Sequence, residues 1–326
     1  MRFPFNVYLL ALGGGGLATL LALPWWRAWC RRSGLVDEPG HRKTHALPIP
    51  LAGGLAVFTG LCATACLGAV AVWANWLSPA ALLPLSHGLS RRGLQLAAII
   101  AGALGMLILG WFDDKYELRA APKLAGQLLV ASLVAASGVR ITLFVHSVLF
   151  SYLITLLWIL TVANAFNFMD NMNGLCAGLG AIGAWCFACR AAVAGQYLVA
   201  LFAFLICGAL LGFLPYNFPR ASAFLGDAGS HLVGYLLAVL AILPHFYTPD
   251  NRSVLAVLSP LLILAVPLGD LVWVVWMRWR LGQPVHVGDT NHLSHRLVRR
   301  GWSPTRAVLF IWLLAACSGS LALWLW

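Results

Sequence analysis

The stretch Gly110-Trp-Phe-Asp-Asp-Lys-Tyr-Glu-Leu118 lies where an apolar run of about twenty residues ends, the length that spans a bilayer as a helix. Two adjacent carboxylates, Asp113 and Asp114, stop this run, and a second apolar run begins just after Lys123. Acidic residues are rare in the chain, which has only ten Asp and Glu among its 326 residues. A pair of them at a helix end, followed by basic residues, indicates either a site for metal and phosphate or a solvated loop between two spans.

The composition of the chain excludes a soluble globular domain. Hydrophobic residues make up 61% of the sequence and charged residues 10%, and the mean hydropathy is +0.85. Because apolar stretches of about eighteen residues recur along the whole chain, we expect an all-α polytopic membrane protein with a single integral-membrane domain over residues 1–326. The net charge of +11 does not indicate nucleic-acid binding, because the basic residues lie in short loops beside apolar spans.

The hydropathy pattern predicts about ten transmembrane helices and their orientation. We place them at residues 5–25, 51–75, 93–112, 122–138, 148–167, 174–191, 195–214, 229–247, 254–277 and 305–325. With the N-terminus outside, the inner loops carry fifteen Lys and Arg and the outer loops six, as the positive-inside rule requires. The same orientation brings nearly all the acidic residues to the inner face, although Asp270 lies within the ninth span. We therefore expect the functional site at the cytoplasmic face.

A polar motif closes the fifth predicted span. Asn164, Asn167 and Asp170 are spaced by three residues, so on a helix they sweep an arc of about 120°. A carboxylate that faced lipid here would cost up to about 3 kcal/mol, so we expect Asp170 to face the bundle interior or water. Amide and carboxylate groups together suit a hydrated Mg²⁺ and a sugar-phosphate ligand. The alternative is that the asparagines form hydrogen bonds between helices.

The motif Gly226-Asp227-Ala-Gly229-Ser230 opens the eighth predicted span. Small residues around one carboxylate let the backbone approach a ligand closely, and the N-terminal amides of the span can help to hold an anion. Alternatively, Asp227 only caps the helix.

Cationic side chains in two inner loops are further candidates for ligand binding. His292 and His295 are three residues apart and would share one helix face. Arg296 beside them favours recognition of a pyrophosphate, whereas a zinc site would need a third ligand nearby. Lys43 lies in a basic stretch before a Gly-Gly helix start. It would contact a nucleotide phosphate or an anionic lipid, or simply keep its loop on the inner side.

With these motifs in this order, the chain resembles the bacterial polyprenyl-phosphate N-acetylhexosamine-1-phosphate transferases. That superfamily includes the transferase that makes the first lipid intermediate of peptidoglycan. The resemblance covers roughly residues 30–300 and rests on Asp113-Asp114, Asn164-x-x-Asn167-x-x-Asp170, Gly226-Asp227-x-Gly229-Ser230 and His292-x-x-His295. It implies transfer of a sugar-1-phosphate, in the first place GlcNAc-1-phosphate, from a UDP-N-acetylhexosamine to undecaprenyl phosphate. UMP would be released, and the lipid product would initiate a cell-envelope polysaccharide in the bacterial inner membrane.

The resemblance also implies a cofactor, an oligomer and residue roles. Mg²⁺ is the expected cofactor, with Mn²⁺ as an alternative, and a homodimer is expected from the family. Asp113 or Asp114 would position or deprotonate the lipid phosphate, and Asp170 would act with them in catalysis. Asp227 and Asp170 would bind the metal. The substrate-binding residues would be Lys43, Lys123, Asn164, Asn167, His292, His295 and Arg296.

Two departures from the family pattern bear on substrate choice. The family commonly reads Asp-Gly-x-Asp-Gly-Leu where this chain reads Asp170-Asn-Met-Asn173-Gly-Leu175, so one carboxylate is replaced by an amide. The peptidoglycan branch carries three consecutive histidines in its last inner loop, whereas this chain has His292-Leu-Ser-His295. Asn173 weakens any role assigned to the second carboxylate and bears on sugar preference, whereas the histidine loop favours the GlcNAc-1-phosphate branch over the pentapeptide transferase. A secondary transporter is disfavoured. Transporters place ionisable groups near the midplane, often in repeated halves, whereas this chain places most of its acidic residues at one face and shows no sequence repeat.

Overall fold

The computed structural model describes residues 3–39, 47–76, 79–142, 145–244, 254–284 and 290–324. Its helices are α1 (Phe5–Ser33), α2 (Gly53–Trp73), α3 (Pro79–Tyr116), α4 (Ala120–Ala136), α5 (Val148–Met169), α6 (Leu175–Val193), α7 (Tyr197–Asn217), α8 (Gly226–Ile242), α9 (Ser259–Ile263), α10 (Ala265–Arg280), α11 (Leu293–Arg299) and α12 (Pro304–Trp324). A 3₁₀ turn, Val254–Leu258, precedes α9. Two short strands, β1 (Val36–Asp37) and β2 (Ile49–Pro50), pair antiparallel.

The predicted all-α membrane architecture is confirmed. In the described part of the chain, seven helices are long and apolar enough to cross a bilayer, and the pair α9–α10, bent by 68°, would make an eighth span. Two further apolar helices, α4 and α8, have 17 residues each. Nine of the ten predicted segments each overlap one of these helices, whereas segment 254–277 overlaps the 3₁₀ turn and the bent pair α9–α10. The number of helices that cross the membrane remains a prediction. Helix α3 begins earlier than predicted, at Pro79, a position where proline is tolerated because the first N–H of a helix needs no partner.

Helix α8 lies at the centre of the bundle. Fifteen of its seventeen residues are buried, and it packs against α2, α3 and α5. Glycines allow this approach: a Cβ at Gly234 would lie 2.7 Å from the Cα of Ala163, and one at Gly54 would lie 2.6 Å from the Cα of Gly229. The burial of α8 shows that other helices surround it and that lipid does not.

The polar ends of several helices meet at one end of this bundle. The last turns of α3 and α5 and the first turns of α4 and α8 come together there, as their side-chain contacts show. The start of α2 lies beside them, because the N–H of Gly53 donates to the carbonyl of Phe224 at 2.9 Å. Strand β2 continues this contact through a 3.0 Å hydrogen bond from the N–H of Phe224 to the carbonyl of Pro50. The packing of α8 therefore determines where the candidate site lies.

Candidate active site

Lys123 lies at the centre of the polar cluster. Its Nζ is 2.5 Å from Oδ2 of Asp113, 3.9 Å from Oδ2 of Asp227, and 3.5 Å from Oδ1 of Asn167, to which it donates a hydrogen bond. These four residues come from the ends of four different helices, α3, α4, α5 and α8. A single ammonium group thus faces two carboxylates that belong to separate sequence motifs.

Asp113 is held in place by both of its oxygens. It is only 7% exposed, and its Oδ1 accepts a 2.9 Å hydrogen bond from the N–H of Leu118, which orders the turn after α3. Its Oδ2 contacts the Lys123 ammonium. The cationic partner and the N–H donor offset part of the free-energy cost of burying this carboxylate.

Asp114 has a different role from its neighbour, because it caps the N-terminus of α8. Its two oxygens accept hydrogen bonds from the N–H groups of Asp227, at 2.7 Å, and Ala228, at 3.0 Å. These are among the backbone donors that a helix leaves without a partner in its first turn. Gly226 permits the contact: its φ is +73°, and a Cβ there would lie 2.7 Å from Oδ2 of Asp114. The cap of α8 therefore comes from Asp114 and not, as the sequence allowed, from Asp227.

Replacing Asp114 by Asn is expected to lower the free energy of unfolding by about 1–3 kcal/mol. The amide would offer one acceptor where two N–H groups need partners, and its NH₂ would face one of them. Thermal unfolding of the purified protein in detergent measures this effect. Glu117→Gln is the matched control, because Glu117 is exposed at the same end of α3. An unchanged melting temperature for Asp114→Asn would contradict the capping role.

Asp227 is more accessible than Asp113, with 36% of its side chain exposed. Asn167 orients it, since its Nδ2 donates to Oδ1 of Asp227 and, at 3.0 Å, to Oγ of Ser230. Asp170 lies one turn further, at the C-terminal cap of α5, and accepts a hydrogen bond from the N–H of Gly226. Burial, and then the nearby carboxylates of Asp227 and Asp114, raise the pKa of the Asp170 carboxyl well above its usual range.

The residues of this cluster fit a hydrated divalent cation. The negative charges of Asp114 and Asp227 lie close enough to Asp170 to raise the pKa of its carboxyl. A bound cation would relieve the repulsion among these three carboxylates. Among the described residues, no group of three or more His, Cys, Asp or Glu is arranged to enclose a metal ion. An open carboxylate face of this kind suits Mg²⁺, which keeps waters and takes phosphate oxygens as its remaining ligands.

Asn164 lies one turn deeper in the bundle and pairs with Gln127. Its Nδ2 donates to Oε1 of Gln127 at 2.9 Å and to the carbonyl of Leu160 at 2.8 Å, and Nε2 of Gln127 donates back at 3.4 Å. This reciprocal amide pair joins α4 to α5, as the alternative interpretation of the motif anticipated. The substrate-binding role of Asn164 remains a prediction.

The two histidines belong to the start of α11. The ring centroids of His292 and His295 are 6.2 Å apart, and the guanidinium of Arg296 lies 4.4 Å from the centroid of the Trp273 ring. The His292 ring also meets the edge of Phe168, at 5.6 Å between centroids. Phe168 precedes Asp170 by two residues, so α11 lies next to the carboxylate cluster. Lys43 lies outside the described residues, and its role remains a prediction.

The asparagines that depart from the family pattern both make specific contacts. Oδ1 of Asn171 accepts a 2.6 Å hydrogen bond from Oγ of Ser294, which ties the loop after α5 to α11. Nδ2 of Asn173 donates to the carbonyl of Pro219 at 3.2 Å. An ionised aspartate at position 173 has no proton to donate to that carbonyl, so the amide suits its surroundings.

Sequence reasoning did not identify the hydrogen bonds of Gln127, Asn171 and Ser294. Asn171 and Ser294 lie inside quoted motifs, but nothing in the sequence indicates that they contact each other or that Gln127 contacts Asn164. Asp270 did carry a signal, as an acidic residue within an apolar run, but its partner in α11 lies 22 residues away.

Known proteins match the chain over most of its length. The profile of glycosyl transferase family 4 matches residues 96–245. A Bacillus subtilis protein named probable undecaprenyl-phosphate N-acetylglucosaminyl 1-phosphate transferase is 32% identical over 306 residues, which cover 91% of this chain and 79% of the relative.

Two further relatives extend the comparison. The decaprenyl-phosphate N-acetylglucosaminephosphotransferase of Mycobacterium tuberculosis is 36% identical, with 88% of this chain and 74% of the relative covered. The undecaprenyl-phosphate alpha-N-acetylglucosaminyl 1-phosphate transferase of Escherichia coli K12 is 29% identical, and the alignment covers 94% of this chain and 80% of the relative. The chain therefore belongs to glycosyl transferase family 4, the superfamily of polyprenyl-phosphate N-acetylhexosamine-1-phosphate transferases that its motifs resemble.

Proposed function

We propose that the protein transfers GlcNAc-1-phosphate from UDP-GlcNAc to undecaprenyl phosphate, releasing UMP. The observation that carries this proposal is the position of Lys123 between Asp113 and Asp227, at a membrane-helix end where Asp227 is open to a ligand. Phosphoryl transfer requires cations around the phosphate oxygens and oxygen ligands for a metal, and this cluster offers both. The names of the relatives support the acceptor lipid and the GlcNAc group.

The proposed reaction is a direct displacement at the β-phosphorus of the nucleotide sugar. An oxygen of the lipid phosphate forms a bond to that phosphorus, and the bond to the oxygen that bridges to UMP breaks. A covalent aspartyl intermediate is disfavoured by the contacts of both candidates. Asp113 is buried against Lys123 and the N–H of Leu118, and Asp114 accepts two backbone hydrogen bonds at the start of α8.

Each residue of the cluster has a distinct task in this proposal. Lys123 contacts the phosphate oxygens, and Asp113 holds its ammonium in place. Asn167 orients Asp227 through a hydrogen bond to Oδ1. Mg²⁺, or Mn²⁺ in its place, would be held by Asp227 with Asp170 beside it, and when bound it supplies positive charge that stabilises the pyrophosphate oxygens.

The cations of α11 would hold the nucleotide end of the donor. His292, His295 and Arg296 lie together beside the end of α5, within one short helix and its N-cap. Imidazole and guanidinium groups donate hydrogen bonds to phosphate oxygens, so this surface suits the diphosphate of a UDP-sugar.

We also propose that residues 1–326 act as one membrane domain and that the functional unit is a homodimer.

A lipid-transfer assay tests the proposed function. Membranes that contain the protein receive undecaprenyl phosphate, Mg²⁺ and radiolabelled UDP-GlcNAc, and label is expected in the lipid fraction together with released UMP. Chelation of the metal with EDTA is expected to abolish the labelling. Label from UDP-MurNAc-pentapeptide alone would assign the protein to peptidoglycan synthesis instead. No lipid product from either donor would contradict the proposal.

We further propose that the cluster faces the cytoplasm of a bacterial inner membrane. In a background without native cysteines, Glu117→Cys is expected to resist an impermeant thiol reagent in intact cells and to react after permeabilisation. Glu117 is exposed beside the cluster. His146→Cys is the matched control, because His146 is exposed in the loop between α4 and α5, and it is expected to react in intact cells. Labelling of position 117 from outside would overturn the orientation.

A further inference from the structure

Asp270, to which the proposed reaction gives no role, forms a buried carboxylate–imidazole pair with His292. Nδ1 of His292 lies 2.6 Å from Oδ2 of Asp270, and both residues are only 5% exposed. Oδ1 of Asp270 accepts a second hydrogen bond, also of 2.6 Å, from the N–H of Leu293. One carboxylate of α10 thus binds both the histidine ring and the first backbone donor of α11.

The hydrogen bonds of the pair determine which ring nitrogen of His292 is available. An ionised carboxylate only accepts hydrogen bonds, so Nδ1 carries the proton that is shared with Asp270. Nε2 is then the nitrogen left for a ligand. The carboxylate also compensates the positive charge that the ring carries when Nε2–H donates to a phosphate oxygen.

Other contacts hold the ring and its helix in the same place. The edge-on contact with Phe168, at 5.6 Å between centroids, limits rotation of the imidazole. The Ser294–Asn171 hydrogen bond and the Arg296–Trp273 contact tie α11 to the loop after α5 and to α10. The imidazole is therefore constrained by contacts with α5 and α10, beside the carboxylate cluster.

We propose that Asp270 is a positioning residue that orients His292 so that Nε2 binds the diphosphate of the nucleoside-diphosphate sugar. This inference rests on the proposed function and goes beyond it, because Asp270 touches neither the substrate nor the reacting atoms. It assigns a task to an acidic residue that lies inside an apolar helix, where an ionisable group is costly unless it is paired.

Asp270→Asn tests the inference with little change in side-chain volume. Its Oδ1 can still accept from Leu293, but the neutral amide no longer compensates the positive charge that the His292 ring carries when Nε2–H donates to a phosphate oxygen. We expect kcat/KM for UDP-GlcNAc to fall about 10- to 100-fold, the range seen when a carboxylate that orients a ligating histidine is replaced. Thr290→Val is the matched control. It removes the hydrogen bond that the exposed Oγ1 of Thr290 accepts from Arg299, without touching the ring or the contacts that hold it, and it is expected to retain most of the activity.

A double-mutant cycle separates positioning from general stability. If Asp270 acts through His292, Asp270→Asn adds no further loss of kcat/KM in a His292→Gln background. Losses that multiply would overturn the inference, and so would wild-type kcat/KM for Asp270→Asn alone. A wild-type protein that transfers nothing to undecaprenyl phosphate would instead defeat the proposed function, so the two failures are distinguishable.

A measurement on the unmodified protein covers the case in which Asp270→Asn does not fold. Diethyl pyrocarbonate acylates an available imidazole nitrogen, and mass spectrometry identifies the modified histidine. We expect UDP, added with Mg²⁺, to protect His292 at least several-fold in the purified full-length protein. Modification of His292 that UDP leaves unchanged would overturn the assignment of Nε2 to the diphosphate. This readout requires UDP binding only and does not require turnover.

Discussion

Replacing Lys123 by Met is expected to lower kcat for GlcNAc-1-phosphate transfer by about 10³-fold, the upper range for loss of one preorganised stabilising donor. The ammonium group lies 2.5 Å from Asp113 and 3.9 Å from Asp227, so its loss removes the positive charge at the centre of the cluster. Initial rates of lipid labelling at saturating UDP-GlcNAc and undecaprenyl phosphate measure the effect. Lys115→Met is the matched control. Lys115 lies eight residues earlier, exposed over the rings of Trp111 and Tyr116.

The same substitution also leaves a buried carboxylate without its cation, which is expected to destabilise the protein by about 2 kcal/mol. A double variant, Lys123→Met with Asp113→Asn, separates this effect from catalysis. The neutral amide removes the uncompensated charge, so thermal stability is expected to recover while transfer stays low. Recovery of activity together with stability would show that Lys123 serves only to neutralise Asp113.

Asp227→Asn is expected to lower kcat/KM by about 10²- to 10³-fold while leaving the melting temperature unchanged or slightly raised. The Asp227 side chain is 36% exposed and its charge raises the pKa of Asp170, so removal of that charge relieves repulsion between like charges. The isosteric amide retains an oxygen for the hydrogen bond from Asn167. Activity measured over a range of Mg²⁺ concentrations, beside thermal unfolding, tests both parts of the prediction.

The comparison with Asp114→Asn makes the Asp227 result specific. Asp114 caps α8 through its two oxygens, so its substitution is expected to reduce stability, whereas Asp227→Asn reduces activity without that loss. An Asp227→Asn protein as active as the wild type would remove Asp227 from the metal site. A large loss of stability would instead show that its contacts with Asn167 and Lys123 are structural.

Much of the architecture could be predicted because its signals are local. About twenty consecutive apolar residues indicate a membrane helix, and basic loops predict its orientation. Nine of the ten predicted segments each overlap one helix, the other is a bent pair, and the acidic and amide motifs lie at helix ends that meet. A polar side chain in an apolar span raises the free energy of the folded protein unless it has a polar partner, so the few that are present indicate a functional site or a specific contact. For this reason the sequence alone sufficed to select Asp113, Asn167 and Asp227 as candidates.

The division of labour within the motifs could not be predicted. Asp113 and Asp114 are adjacent carboxylates of the same kind, and nothing in their order indicates that one faces Lys123 and the other caps α8. Adjacent residues on a helix point about 100° apart, so their partners depend on which helices pack on each side. Asn164 is a similar case, because only the packing of α4 against α5 brings Gln127 within reach.

The sequence by itself determined the class of membrane protein, the location of its helix ends and the set of polar side chains available for phosphate chemistry. Those properties depend on hydropathy, charge and motif order along the chain. The tertiary structure alone decided which side chains meet: Lys123 with Asp113 and Asp227, and Asp270 with His292. These contacts depend on the angles and separations at which helices pack, which arise from interlocking side chains and close glycine contacts distributed over the whole bundle.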